Sequence, residues 1–266
     1  MSGTSNDFVI IDVRKNNYQF KPAQISKISA RNNIGCDQFI VLKNSVNCHI
    51  FMEIYNSDGS QSNACGNATR CVALLIMEET NLDEILVETN AGILPCKRDQ
   101  DCILVNMGKP KFAPEAIPLA ENLNSDAIKI DNFEFSAISM GNPHIVTFLE
   151  KELADEEFFK IGPKFENHHY FPQRTNVEFV TKESENHLKV RVWERGAGET
   201  LACGSGACAV GVIAFKKNII KNGSEAKISF KGGAIFISLN KDGEVIMRGD
   251  ATKIFYGIID NNFLNS

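Results

Sequence analysis

The order of segments in the first half of this 266-residue chain recurs in the second, and that recurrence constrains the fold more than any single motif. The first half reads strand, polar loop, Ala64-Cys65-Gly66-Asn67, helix, strand, Asn90-Ala91-Gly92, strand, then a strand ending in Gly108. The second reads strand, polar loop, Ala202-Cys203-Gly204-Ser205, helix, strand, Gly232-Gly233, strand, then a strand ending in Gly249. A whole series matches by chance far less often than one four-residue motif, so the chain is read as an internal duplication. The join is expected in the Pro-containing stretch from Gly108 to Pro118. That divides the chain into a first domain, 1–112, with Cys65, and a second, 113–254, with Cys203.

Short β-type runs dominate both halves. Phe8 to Val13, Phe39 to Leu42, His49 to Tyr55, Ile85 to Thr89 and Ile103 to Met107 are bounded by turn residues. Ile145 to Leu149, Asn176 to Val180, Leu188 to Trp193, Ala226 to Phe230, Ile235 to Leu239 and Val245 to Arg248 follow. Three helical patterns stand out: Asn67 to Glu79, Lys151 to Phe165 with a break expected near Gly162-Pro163, and Ser205 to Lys217. Cys71 to Met77 and Ala207 to Phe215 are apolar or small on nearly every face. Such helices are buried rather than laid on a surface. The expected fold class is therefore α/β (α+β), with two pseudo-symmetric domains, each a sheet-rich barrel-like layer around a buried central helix. Each helix is expected to open toward the other domain with its cysteine at the N-terminal end, which puts the site in the cleft between them.

The chain carries Lys+Arg 28 against Asp+Glu 33, interspersed, for a net charge of −5. It has no basic tract, so neither nucleic acid nor an anionic membrane is an expected partner. The run MSGTSNDFVIIDV lacks a basic n-region and a long apolar stretch, so no secretory leader and no transmembrane helix are expected. The expected location is the reducing cytoplasm, where the eight cysteines are thiols rather than a disulfide framework.

Two of those thiols sit where chemistry is available. The unpaired N–H groups of a helix N-terminus push a thiol toward thiolate. Two such thiols, one per repeat, suit a symmetric task in which one takes a proton while the other gives one. Around them stand Asn56 in the loop before Cys65, Glu194 and Arg195 before Cys203, and Asn142-Pro143-His144. Arg195 can fork onto a carboxylate, and Asn side chains both donate and accept. The two helix starts are anion sites. Together these describe a pocket for a small, polar, carboxylated ligand between two thiols. Cys36, Cys48, Cys71, Cys96, Cys102 and Cys208 are read as packing residues. No zinc-type spacing or redox CxxC is present, so no metal is expected. His144 follows Gly-Asn-Pro and is a functional candidate, while His49, His168, His169 and His187 are read as structural or surface residues.

The chain resembles diaminopimelate epimerases. The matching segments are Asn6-Asp7-Phe8-Val9, Ile34 to Gln38, Asn56 to Ser60, Cys65-Gly66-Asn67 with Arg70-Cys71, Met140 to His144, Arg174 to Phe179, and Glu194 to Gly204. They follow the family's order over almost the whole chain, and ERGAGETLACG is the most specific of them. Proline-racemase-type enzymes share the two Cys-Gly turns but typically carry His where Asn67 stands.

The resemblance implies a cofactor-independent epimerase that interconverts LL- and meso-2,6-diaminopimelate in lysine and peptidoglycan precursor synthesis. It implies two domains closing over the substrate, a tail of about 255–266 returning to the first domain, and often a homodimer. Cys65 and Cys203 would be the acid/base pair, with His144 setting the protonation of Cys65 and Glu194 that of Cys203. Asn6, Gln38, Asn56, Asn142, Asn176, Glu194 and Arg195 would hold the polar ends of the substrate. The backbone at Gly66-Asn67 and Gly204-Ser205 would hold the reacting carboxylate. Ser5 and Ala68 stand where the family usually has Gly, Ala64 where Met is common, and Ser205 where Thr is frequent. Ala68 is tolerated unless its φ is positive, and Ser5 bears on the loop that carries Asn6. The alternatives are a related cysteine-dependent racemase with another substrate and a non-catalytic amino-acid-binding protein.

Overall fold

The computed structural model describes residues 1–16, 18–120 and 123–265. The chain divides into two compact units: Met1–Val105 with the segment from Gly249 onward, and Asn106–Arg248.

The first unit opens with a hairpin of β1 (Ser2–Gly3) and β2 (Asn6–Asp12), followed by α1 (Pro22–Ser29), β3 (Gln38–Lys43), β4 (Ile50–Asn56) and β5 (Gln61–Ser62). Helix α2 (Gly66–Thr80) comes next, then β6 (Glu84–Thr89), β7 (Gly92–Asp99) and β8 (Cys102–Asn106). β2 runs parallel to β3, β3 antiparallel to β4, and β4 parallel to β6. β6, β7 and β8 form an antiparallel meander. Most of α2 is buried, from Gly66 through Ala73 without interruption. A second cluster of Val13, Ile25, Ile28, Cys36, Phe39 and Val41 receives Ile259, Phe263 and Leu264 of the C-terminal segment.

The second unit begins with β9 (Ile128–Ile130), β10 (Phe133–Ser139) and β11 (Pro143–Leu149), then α3 (Asp155–Glu166). β12 (Asn176–Ser184), β13 (His187–Glu194), β14 (Gly198–Glu199) and α4 (Gly204–Lys216) follow. β15 (Ala226–Phe230), β16 (Gly233–Leu239) and β17 (Val245–Gly249) complete it, and α5 (Asn261–Asn265) ends the chain. β11 runs parallel to β12, β12 antiparallel to β13, and β13 parallel to β15, followed by the β15–β16–β17 meander. This repeats the pairing of the first unit strand for strand. Helix α4 is buried on every side from Gly206 to Phe215, as its apolar composition requires.

Helix α3 departs from expectation. It starts at Asp155 rather than Lys151 and passes unbroken through Gly162-Pro163 to Glu166. Asp155, Glu156 and Glu157 in its first turn favour that start through the helix dipole. Pro163 orphans the carbonyl of Phe159, a half-exposed residue that water reaches. Gly162 is there for contact: a Cβ would stand 2.6 Å from the Trp193 ring. Helix α1 has only two apolar anchors, Ile25 and Ile28, on eight residues, too few for periodicity to announce it.

Candidate active site

In the first unit, the sheet brings the predicted residues to one end. β2 and β3 are parallel and both start there with Asn6 and Gln38; β4 is antiparallel and ends there with Asn56, directly opposite Gln38. Gln38 Nε2 donates to Asn56 Oδ1 at 3.1 Å, and Asn56 Nδ2 donates to Ser60 Oγ at 3.0 Å. Cys65 caps α2, its Sγ accepting the Ala68 N–H at 3.5 Å as a serine oxygen would. Its thiol faces Asn6 Oδ1 at 4.0 Å. Asn6 is held by Asp37, whose Oδ2 accepts from its Nδ2 at 2.8 Å. The backbone N–H groups of Gly66 and Asn67 open the helix, where no intrahelical acceptor exists for them.

Two residues that carried no assigned role in the sequence hold this arrangement. Asp37 is one. The other is Arg70, fully buried, whose guanidinium donates to Thr4 Oγ1 (2.7 Å), Asn67 Oδ1 (3.0 Å) and the Asp250 carbonyl (2.9 Å). It ties the start of α2 to the Thr4-Ser5 turn ahead of Asn6. Both turn residues lie in the left-handed region, at φ 53° and 59°, as a two-residue hairpin loop demands. Ser5 therefore takes a conformation that suits the glycine it replaces, whereas Ala68 is an ordinary helical residue.

The second unit repeats the layout with different chemistry. His144 pairs with Asn176 across the parallel strands, and Val177 with Trp193, which sets Asn176 opposite Glu194. By this register His144 answers to Phe8 of the first unit, Asn176 to Gln38, and Glu194 to Asn56. Two residues beyond Asn176 and Gln38 stand Glu178 and Ile40.

His144 and Glu178 are both fully buried, with Nδ1 2.6 Å from Glu178 Oε1. The other ring nitrogen, Nε2, lies 3.0 Å from Asn142 Oδ1. Asn142 Nδ2 donates to Ser205 Oγ at 3.3 Å, and Ser205 Oγ is 3.6 Å from Cys203 Sγ. Cys203 caps α4 and accepts the Gly206 N–H at 3.4 Å. Asn176 spends its amide on the strand ends, donating to the Pro143 carbonyl at 2.8 Å and accepting the Arg195 N–H at 2.9 Å. In this structure it holds the loops that carry His144 and Arg195. The Arg195 side chain is exposed, with one Nη1 contact at 3.3 Å to the Gln173 carbonyl. Glu194 accepts a hydrogen bond from Thr200.

The surroundings of Cys203 favour the thiol over the thiolate. Burial pushes its thiol well above the ordinary value, and the carboxylates of Glu194 and Glu178 push it further. The Ser205 and Gly206 hydrogen bonds pull the other way and lose. Burial also raises Glu194, against the hydrogen bond it receives. The helix N-terminus does not win here because the thiol is buried and two carboxylates stand beside it. Glu178 escaped the sequence reading, although a lone carboxylate inside the apolar run Val177-Glu178-Phe179-Val180 was a visible signal. Among the described residues no cluster of potential metal ligands occurs.

A family model described as "Diaminopimelate epimerase" matches residues 1–113 and 136–254. The chain is 40% identical over 265 residues to "Diaminopimelate epimerase" of Acidiphilium cryptum, covering 98% of this chain and 95% of that one. It is 39% identical to the protein of that name from Zymomonas mobilis, covering 98% and 96%. Among solved structures, a hydroxyproline epimerase from Agrobacterium vitis aligns with a TM-score of 0.66 at 12% identity, covering 94% of this chain and 86% of that one. A phenazine biosynthesis protein of the PhzF family from Bacillus anthracis aligns at 0.63 and 14%, covering 94% and 92%. These two share the fold.

Proposed function

The chain belongs to the diaminopimelate epimerase family, and we propose that it interconverts LL- and meso-2,6-diaminopimelate by two-thiol proton transfer at one α-carbon. It is an isomerase of lysine and peptidoglycan precursor biosynthesis. The observation that carries the mechanism is the repeated geometry: each unit presents one cysteine as the cap of a buried helix, its Sγ beside open backbone N–H groups.

In the proposed reaction Cys65 and Cys203 act on opposite faces of the α-carbon, one as thiolate and one as thiol, and exchange roles with direction. The reacting carboxylate takes the N–H groups at Gly66-Asn67 and Gly204-Ser205. An ordinary thiol has a pKa of about 8.5, far below that of an amino-acid α-proton. Well-placed donors stabilise the carboxylate as it gains charge, by roughly 3–4 kcal/mol each. His144 is assigned to Cys65 and Glu194 to Cys203 as the groups that tune them. Arg195, with Asn6, Gln38, Asn56 and Asn142 as neutral partners, is assigned to the polar ends of the substrate, and Asn176 supports them by holding the loop that carries Arg195. Binding energy spent there keeps the reacting end in register.

The reading includes a cytoplasmic enzyme that uses no cofactor, and a homodimer. Among the described residues no helix is long and apolar enough to cross a membrane. The dimer is supported by the exposed apolar run of Ile254, Phe255, Tyr256 and Ile258, a patch that association would cover.

The test is proton NMR of LL-diaminopimelate with the purified protein in D₂O, under reducing conditions and without added cofactor. Conversion to the meso isomer with deuterium entering the α-position is expected. Absence of exchange would overturn the substrate assignment.

A further inference from the structure

The same scaffold is built twice in this chain, and the two copies differ in charge at matching positions of the sheet. Phe8 and Ile40, both buried and apolar, fill in the first unit the positions that His144 and Glu178 hold in the second. The fold therefore has no need of a buried ion-pairing couple at that place. The couple also has a standing cost: Glu178 Oε2 is buried and accepts no hydrogen bond. A side chain kept only for packing would not carry an unpartnered carboxylate oxygen.

Its surroundings indicate what it does. Glu178 Oε1 sits against the first turn of α4: a Cβ on Gly206 would stand 2.9 Å from it and 3.3 Å from Cys203 Sγ. Those two distances put the carboxylate oxygen and the sulfur no more than about 6 Å apart, within the range where one charge moves another's proton. The helix has glycine three residues after its cysteine, where the first unit has Ala68. From Glu178 a chain of contacts runs through His144, Asn142 and Ser205 back to Cys203. The titratable groups facing Cys203 are thus Glu178 on β12, Glu194 on β13 and, through that chain, His144 on β11.

We propose that Glu178 is a positioning residue for the second half-site, its buried carboxylate holding the His144 ring through Nδ1 and lying against the first turn of α4 beside the Cys203 sulfur. The proposal rests on the two-thiol reading for its catalytic meaning. Together with burial and Glu194, the charge of Glu178 favours the protonated Cys203 thiol, and the imidazole is held with Nδ1–H donating to the carboxylate and Nε2 directed at the accepting Asn142 Oδ1.

The test follows alkylation of Cys203 by iodoacetamide over a pH series, read peptide by peptide by mass spectrometry. In Glu178→Gln, an isosteric change, the Cys203 midpoint should fall by about one pH unit, a roughly tenfold faster reaction near neutrality, with Cys65 unmoved. Glu178→Asp should restore part of the wild-type midpoint. An unchanged Cys203 midpoint in Glu178→Gln overturns the proposal. Nitrogen-15 NMR of the wild-type histidines gives a second reading that no variant can spoil by misfolding: His144 should carry a proton on Nδ1, and a bare Nδ1 overturns the proposal. Neither readout uses diaminopimelate, so failure of the substrate assignment is seen separately, in the D₂O exchange experiment.

Discussion

Replacing Gly206 by alanine sets two physical effects against each other at one helical position. On helix propensity alone the change stabilises by about 1 kcal/mol. The structure places the new Cβ 2.9 Å from Glu178 Oε1, 3.2 Å from Cys203 Cβ and 3.3 Å from Cys203 Sγ. None of these can move cheaply. Glu178 is fully buried and held at 2.6 Å by His144, and Cys203 is fixed as the cap of a buried helix. Overpacking of this kind costs about 1–3 kcal/mol. The net expectation is a loss of up to about 2 kcal/mol, which for a chain of this size lowers the melting temperature by up to roughly 8 °C.

Activity should suffer more than stability, because the clash displaces the sulfur itself; misplacement of a reacting group by about 1 Å costs on the order of 10²-fold. The reciprocal change, Ala68→Gly, has no steric term. It removes a buried methyl and helix propensity, about 1–2 kcal/mol together, and should leave the Cys65 cap in place. Differential scanning calorimetry and epimerisation kinetics on both variants check the pair. A Gly206→Ala protein as stable as wild type, with its activity intact, would refute the packing assigned to the first turn of α4.

Three further outcomes follow from the same geometry. Cys65→Ala and Cys203→Ala should each nearly abolish epimerisation, since each stereoisomer needs both an acid and a base; more than a few per cent of residual turnover in either would sink the two-thiol mechanism. Burial pushes Cys71 and Cys96 up to about 12 and raises Cys203 as well. An unfolded thiol loses its proton near pH 9 while these keep theirs, so stability present at neutral pH should fall as pH rises from about 9 toward 12, by up to about 1.4 kcal/mol per pH unit for each; denaturant midpoints under reducing conditions that stay flat over that window would contradict this. Ser5→Gly should stabilise the protein by about 1 kcal/mol by relieving a left-handed serine in the β1–β2 turn, and a lower melting temperature in that variant would count against the turn geometry.

Much of this was legible from the residues because it depends on local order. The two cysteine-headed helices begin within a residue of their expected starts, since a small-residue turn followed by an unbroken apolar run leaves few alternatives. The strand series was readable for the same reason. Other features depend on neighbours far apart in the chain. Helix α3 survives Gly162-Pro163 because Trp193, some thirty residues on, packs where a side chain would otherwise be. Glu178 meets His144 only through the parallel pairing of β11 with β12. Which cysteine rests protonated was not legible, because the helix N-terminus can be read from sequence, whereas burial and two opposing carboxylates cannot.

The duplication and its departures carry different parts of the proposed mechanism. Interconversion in both directions needs equivalent geometry at the two thiols, and each unit repeats the strand–turn–helix arrangement that presents one. It also needs inequivalent charge, since two identical thiols would spend much of their time both protonated or both bare, and neither state can turn over. A strictly symmetric duplicate would therefore be well shaped and poorly poised. The substitutions that separate the copies lie where that poise is set. Asn56 against Glu194 and Ile40 against Glu178 leave amide and apolar groups at the first cysteine's side and carboxylates at the second's. An epimerase of this kind is expected to tolerate exchange of core residues between its repeats far better than exchange at these two positions.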